Sequence, residues 1–419
     1  MTAPVAITDP TGRCFVSYRR SRLDDVRRLV AALHDHGVPT WQDLTDLDEE
    51  PLEPALRAAL TDPSTASGIL WITPEVANSA VITGVEIPEL IARAERGDAF
   101  FLLPVAAGGL NYANAARAAL ARTTLNDFEA WNIARVGHDP ISDADADGVA
   151  RRVLARRIAA IDAALPAGAP FVIDVYTRGP VAHRPDAALT VDLTHRFNGR
   201  QAHAGAWQNH ILPALDTIVD ETARRASGRP LQLRGLAGLP AAVALGAKLL
   251  APRAVSAAWM QHTPGRDETA YSLAEERRPS GFRVAIRDHR PDAADLAVLV
   301  SVSENTVPAV RATGGLPEFR GWLQAAPPGR HPHPHSHPHL FPGPGEAVDL
   351  AHEVIETIRA ARSRYGRVGD VHLFIAGPAG LAFLLGQLLN TLGTVHTYEH
   401  VNDHGVGHYQ PAVALEPSG

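Results

Sequence analysis

"RGLAGLPAAVALGAKLL" occupies Arg234–Leu250, and "AGPAGLAFLLGQLLN" occupies Ala376–Asn390. Each joins a turn of small residues to an apolar run of helical length, and each follows a short apolar strand, "LQLRGL" or "VHLFIAG". Overlaid without gaps at a constant offset of 140 residues, Leu233, Ala242, Leu245, Gly246, Leu249 and Val255 fall on Leu373, Ala382, Leu385, Gly386, Leu389 and Val395. The spacing predicts an internal duplication of a β-α-β-α-β unit.

The elements around these stretches repeat in order. The first repeat, about 170–290, reads as a strand in "PFVIDVYTRG", a polar loop with "TVDLTHRFNGR", a helix in "WQNHILPALDTIVDETARRA", then strand, helix and the strand "AVSAAWMQ". The second, about 295–419, reads as a strand in "DLAVLVSVS", a helix in "EAVDLAHEVIETIRAARSRYG", then strand, helix and the strand "TVHTYEH". The turns Gly235–Gly238 and Gly377–Gly380 let a helix N-terminus approach another group closely. There the exposed N–H groups and the helix dipole favour an anion such as phosphate. The same turns also serve plain strand–helix packing, which needs no ligand.

"ALPAGAP" (Ala164–Pro170) separates this half from an N-terminal domain of about residues 1–165. That domain opens on the strand "CFVSY" (Cys14–Tyr18) and a helix with Leu23, Val26, Leu29, Val30 and Leu33 on one face, closed by Gly37. The strands "VPTWQD", "SGILWIT", "AFFLLPVAA" and a weaker "FEAWNIA" alternate with helices in "LEPALRAAL" and "IPELIARAERG", and a long helix starting "DADADGVARR" closes the domain. The expected fold is α/β, a doubly wound parallel sheet. Ligands of such sheets sit at the carboxyl ends of the strands, here Tyr18–Arg20, Trp41–Asp43 and the loop Pro74–Glu86. No GxGxxG follows the first strand, so a dinucleotide fingerprint is absent.

Composition narrows the partners. A net charge of −7 argues against general DNA binding. The single cysteine, Cys14, permits no internal disulfide and fits a reducing, cytoplasmic setting. The N-terminus lacks the pattern of a signal peptide, and no apolar run reaches membrane-spanning length. "HPHPHSHPHLFPGPG" (His331–Gly345) reads as a stiff loop inside the second repeat; without Cys or a fixed shell it is no structural metal site. His400, His404 and His408 are spaced by four, but Gly405 and Gly407 favour a hairpin over a metal-binding helix.

"FVSYRRS", "GVPTWQD" and "SGILWITPEVANSAVITGVEIPEL", in that order, resemble a Toll/interleukin-1 receptor (TIR) domain over most of residues 13–165. The resemblance implies cleavage of NAD at the nicotinamide–ribose bond, with NAD as substrate rather than bound cofactor, and with Glu86 as the catalytic carboxylate. Glu89, one turn further on, is the rival for that place. A fixed carboxylate suits this chemistry: the ribose becomes oxocarbenium-like, and the departing pyridinium needs no strong general acid. The expected substrate contacts beside it are Tyr18 at the rim or in the core, Trp41 stacking on a ring of the substrate or packing in the core, Arg19 meeting the pyrophosphate and Asp43 holding a ribose hydroxyl, the last two being otherwise plain loop residues. The acidic stretch Asp43–Pro54 matches the loop through which such domains meet one another.

"VDLTHRFNGR", "VHLFIAGPAGLAFLLGQLLN" and "TYEH" followed by "HYQPAVAL" resemble the SAVED family over nearly all of 166–419. That resemblance implies two fused CARF-like halves that sense a cyclic oligonucleotide, here a cyclic tri- or tetra-adenylate. Arg178, Arg200, Gly377, Pro378 and Gln387 are its candidate contacts. Together the two resemblances imply an antiviral effector that associates into an oligomer or filament on ligand binding and then consumes NAD. The alternatives are a non-catalytic scaffold and a domain that releases a cyclic ADP-ribose-type signal.

Overall fold

In a computed structural model of the chain the described residues are 7–41, 52–120, 132–250, 256–263, 267–288, 290–328, 342–366, 368–403 and 406–416. They form two compact units: Met1–Ala167 with His183–Asp192 and Asp220–Ser227, and Gly168–Ala182 with Leu193–Val219 and Gly228–Gly419.

The first unit is built on strands β1 (Arg13–Ser17), β2 (Thr40–Trp41), β3 (Thr65–Ile72), β4 (Phe101–Ala106) and β5 (Ala134–Arg135). They pair in parallel in the order β2-β1-β3-β4-β5. Between them run α1 (Leu23–Asp35), α2 (Leu52–Thr61), α3 (Ile87–Ala94), α4 (Tyr112–Leu120) and α5 (Asp143–Ala164). Successive strand residues point to opposite faces. Cys14, Val16, Ile69, Trp71, Leu103 and Val105 therefore pack with α1 and α5. Phe15, Leu70, Ile72, Leu102 and Ala106 pack with α2, α3 and α4 on the other side. A sheet buried on both faces needs continuous apolar strands, and all of β3 is buried. The doubly wound arrangement expected from the sequence is present.

Local signals explain the helix ends. Gly37, at φ +75°, closes α1 in the left-handed region. Ser142 caps α5 by accepting from Asp145 N at 3.1 Å, and the Asp145 carboxylate in turn accepts from Ser142 N at 3.2 Å. The anticipated fifth strand is reduced to Ala134–Arg135, its Phe128–Trp131 part lying outside the described residues, and α4 was not anticipated.

The chain continues through β6 (Phe171–Tyr176), β7 (Leu189–Asp192), the hairpin β8 (Phe197–Asn198) and β9 (Gln201–Ala202), and a π-helical turn (Trp207–Ile211) leading into α6 (Leu212–Arg225). β7 belongs to the first unit, where Thr190 N donates to Gly37 O at 3.1 Å. There follow β10 (Leu231–Leu236), α7 (Leu239–Lys248), β11 (Ala257–Gln261), β12 (Thr269–Ser272) and β13 (Arg283–Asp288). Next come β14 (Asp295–Ser301), α8 (Thr306–Ala312), β15 (Phe319–Ala326), α9 (Pro344–Tyr365), β16 (Val371–Ala376), α10 (Ala379–Gln387), β17 (Val395–Asp403) and β18 (Val406–Leu415).

The duplication is visible in the structure. Parallel trios β6–β10–β11 and β14–β16–β17 form the centres of two sheets. β10 and β16 coincide at both ends under the 140-residue offset. So do the N-caps of α7 and α10, Gly238 (φ −62°, ψ 155°) and Pro378 (φ −72°, ψ 149°). The helices cross at their matched glycines. A Cβ on Gly246 would stand 2.2 Å from Phe383 O, and one on Gly386 would stand 2.2 Å from Val243 O. That reciprocal contact is the packing reason for the doubled motif.

The second unit departs from simple strand–helix alternation. β12, β13 and β18 run antiparallel to their neighbours β11, β15 and β17. β15 shows strict alternation of buried and half-buried residues, a readable strand signal that the sequence reading passed over. The expected hairpin at the end is present as β17 and β18, with His400 opposite Tyr409 and His408 opposite Val401. His404 and residues 331–341 of the His/Pro stretch lie outside the described residues.

Candidate functional site

A cavity of about 450 Å³ opens in the second unit at the carboxyl ends of the duplicated strands. Arg178 reaches it just beyond β6, Leu236 and Gln261 at the ends of β10 and β11, Ser303 beyond β14, Ala376 at the end of β16, and Glu399 with His400 from β17. Both repeats contribute equivalent strand ends, so the cavity follows from the duplication and from the rule that parallel sheets bind at their carboxyl edges. Of the five contacts nominated from sequence, Arg178, Arg200, Gly377 and Pro378 line it. Gln387 does not: it is 3% exposed, and its Nε2 donates to Leu249 O at 3.2 Å, tying α10 to the end of α7.

The two glycine turns differ from the expected open amide cradles. Gly238 N already donates to Thr177 Oγ1 at 2.8 Å, and Gly380 N to Gln261 Oε1 at 3.0 Å. Pro240 and Pro378 carry no N–H. Positive potential for an anion therefore comes from the helix dipoles and, chiefly, from the two arginines. Arg200 Nη1 donates to Glu399 Oε1 at 3.2 Å. Burial pushes the Glu399 carboxyl above the usual range, while Arg200 and Arg178 pull it back down. His400 Nδ1 lies 3.6 Å from Glu304 Oε1. Glu399 and Gln261 were missed from sequence: "TYEH" and "WMQ" show polar residues in strands, but only the fold brings them to one cavity. Arg234, within the first glycine motif, faces elsewhere and pairs with the fully buried Asp174 at 2.6 Å.

In the first unit Glu86 ends a π-helical turn, Ile82–Glu86, in which Ile87 N–H reaches back to Ile82 O. Thr83 Oγ1 donates to Ser79 O at 2.6 Å and steadies the entry to that turn. Such turns recur at functional positions because the extra residue re-aims side chains. Glu86 is 7% exposed. Its rival Glu89 is engaged in an ion pair with Arg57 of α2. Trp41 is 9% exposed and stacks on Phe15, with centroids 4.9 Å apart and planes at 14°, so one ring face is already taken. It shares a core cluster with Ile82 and Ile87, the neighbours of Glu86. Tyr18 packs in the cluster on the opposite face of the sheet, which removes it from the expected site because β1 alternates. Arg19 is half-buried, with an Nε that has no hydrogen-bond partner among the described residues. Ser17 Oγ is likewise buried and unpartnered there, a position not nominated from sequence. Asp43 and most of Asp43–Pro54 lie outside the described residues; Leu52, Glu53 and Pro54 open α2.

Residues 211–415 match the family model described as SAVED, the SMODS-associated and fused to various effectors sensor domain. These residues are a SAVED domain. The SAVED match includes β10–β18 and every cavity residue except Arg178 and Arg200, which precede it. No curated protein matches the chain. Two solved structures similar to it are Cap4 SAVED/CARF-domain containing receptors. That of Acinetobacter baumannii, with the cyclic trinucleotide 2'3'3'-cAAA, aligns at 14% identity over 88% of this chain and 86% of that one, TM-score 0.47. That of Moraxella osloensis aligns at 14% identity over 95% and 100%, TM-score 0.41. Outside the SAVED match, no described helix is long and apolar enough to cross a membrane.

Proposed function

We propose that the chain is a TIR–SAVED effector of antiviral signalling. A cyclic oligonucleotide, cyclic tri- or tetra-adenylate, binds the SAVED cavity, promotes self-association, and switches on cleavage of NAD by the first unit. The observation that carries this reading is the placement of Arg178 and Arg200 in one cavity at the carboxyl ends of two duplicated sheets within and beside a SAVED domain. Repeated phosphates meet guanidinium groups, and a ligand with repeated units suits a duplicated cavity. The family description, a sensor fused to various effectors, supports an effector role for the N-terminal unit.

For the reaction, the C–N bond between nicotinamide and ribose breaks with its electron pair leaving on nicotinamide. The Glu86 carboxylate stabilises the developing ribose cation, and water adds at that carbon and loses a proton. Ser17 Oγ and Arg19 Nε, buried and without hydrogen-bond partners among the described residues, are two polar groups of this edge that substrate can meet. The scaffold reading draws on one observation, the burial of Tyr18 and Trp41 in the core.

One experiment separates them. NAD is followed with purified protein, with and without cyclic tri- and tetra-adenylate, for the wild type and Glu86→Gln. Ligand-dependent NAD loss that vanishes in Glu86→Gln, with ligand binding unchanged, is the expected result. Binding without NAD loss in the wild type sinks the enzyme and leaves the scaffold. Chromatography of the product distinguishes ADP-ribose from a cyclised form.

A further inference from the structure

The SAVED cavity already holds an anion of the protein's own. Glu399 is 8% exposed, and its Oε1 accepts from Arg200 at 3.2 Å. Its other oxygen lies against the start of α7: a Cβ built on Gly238 would stand 2.8 Å from Glu399 Oε2. Gly238 is the N-cap of that helix, so the carboxylate rests beside a positive helix end as well as a guanidinium. Arg178 also acts on it electrostatically. Three sources of positive potential converge on one carboxylate. They are the sources the cavity offers to a phosphate. The pair is open to solvent on one side, because the Arg200 side chain is 52% exposed while that of Glu399 is 10% exposed.

We propose that Glu399 is a built-in competitor: in the free protein it occupies the anion position between Arg200, Arg178 and the start of α7, and a phosphate of the bound nucleotide displaces it. The proposal rests on the cavity being the cyclic-oligonucleotide site. It explains selectivity against common mononucleotides. A single phosphate gains Arg200 only by stranding a buried carboxylate, whereas a ligand with several phosphates makes further contacts that offset that cost. Glycine at 238 is part of the device, since any side chain there would push the carboxylate away. The groups facing Glu399 are Arg200, Arg178 and the Tyr409 hydroxyl, with Glu304, His262 and His400 also around the cavity and its rim. Glu399→Gln retains all of them and isolates its own contribution.

The test is calorimetric titration of the full chain with cyclic triadenylate, cyclic tetra-adenylate and AMP. Glu399→Gln is expected to bind its preferred cyclic ligand about tenfold tighter than the wild type. It is also expected to gain measurable AMP binding. Glu399→Asp, which withdraws the carboxylate from Arg200 while keeping its charge, is expected to shift affinity in the same direction and serves if the glutamine variant does not fold. A folded variant that binds the cyclic ligand no more tightly than the wild type overturns the competitor and leaves the site reading standing. No binding of either cyclic ligand by wild type or variant overturns the site reading and the competitor together.

Discussion

Arg234 and Asp174 show how a single position can mislead. Arg234 begins the glycine-rich motif and, by chemistry alone, is as good a phosphate ligand as Arg178 or Arg200. Its guanidinium instead satisfies a carboxylate that is 0% exposed, across the paired strands β6 and β10. Removing one partner leaves a buried charge, so Arg234→Ala is expected to cost about 3–5 kcal/mol in a urea titration, with Arg234→Met plus Asp174→Leu recovering most of it. A loss below about 1 kcal/mol would remove the pair from the fold's supports. Arg200→Ala is expected to weaken cyclic-nucleotide binding by about tenfold or more, since a charge-assisted contact contributes about 1.5–3 kcal/mol, and to lower the urea midpoint less than Arg234→Ala does, since Arg200 is half-exposed. Unchanged affinity would take it out of the site.

Helix α7 and helix α10 are legible as apolar helices after turns, yet neither can be placed from its own residues. Their matched glycines are explained by each other: each permits backbone contact with the partner helix. Gly246→Ala adds a methyl where Phe383 O already stands and is expected to lower stability by about 1–3 kcal/mol through overpacking, despite the better helix propensity of alanine. A rise in the melting temperature would show that the helices can separate without loss. The capping box of α5 belongs to the same class of readable local signal. Ser142→Ala removes the acceptor for Asp145 N and is expected to cost about 1 kcal/mol by urea midpoint. The strand β15 was readable from its alternation, whereas β5 was not readable at its end, because a two-residue strand is set by its pairing to β4.

Across the whole molecule, buried histidines set the response to acid. His372 is 5% exposed, with Nδ1 2.6 Å from Tyr398 Oη and its ring stacked on His396 at 4.7 Å. Burial, then the neighbouring imidazole, lowers its pKa; burial lowers that of His36 in the first unit. The unfolded chain therefore takes up protons first. Stability is full above the unfolded value of about 6.5 and falls as pH drops below it. Urea midpoints measured between about pH 5 and 8 should decline only on the acid side, and His372→Gln should flatten part of the slope; a slope of opposite sign refutes the assignment. The repeat and the parallel α/β architecture could be read from the chain, because strand alternation, helix periodicity and glycine turns are local consequences of covalent geometry, whereas Glu86, Arg178 and Arg200 were nominated from family resemblance. That Tyr18 and Trp41 pack on opposite faces of the sheet, that Gln387 ties α10 to the end of α7, and that Glu399 pairs with Arg200 were decided by the tertiary structure. Those facts depend on register, on helix crossing and on which strand ends meet around a cavity, and all three arise from contacts between residues far apart in the chain.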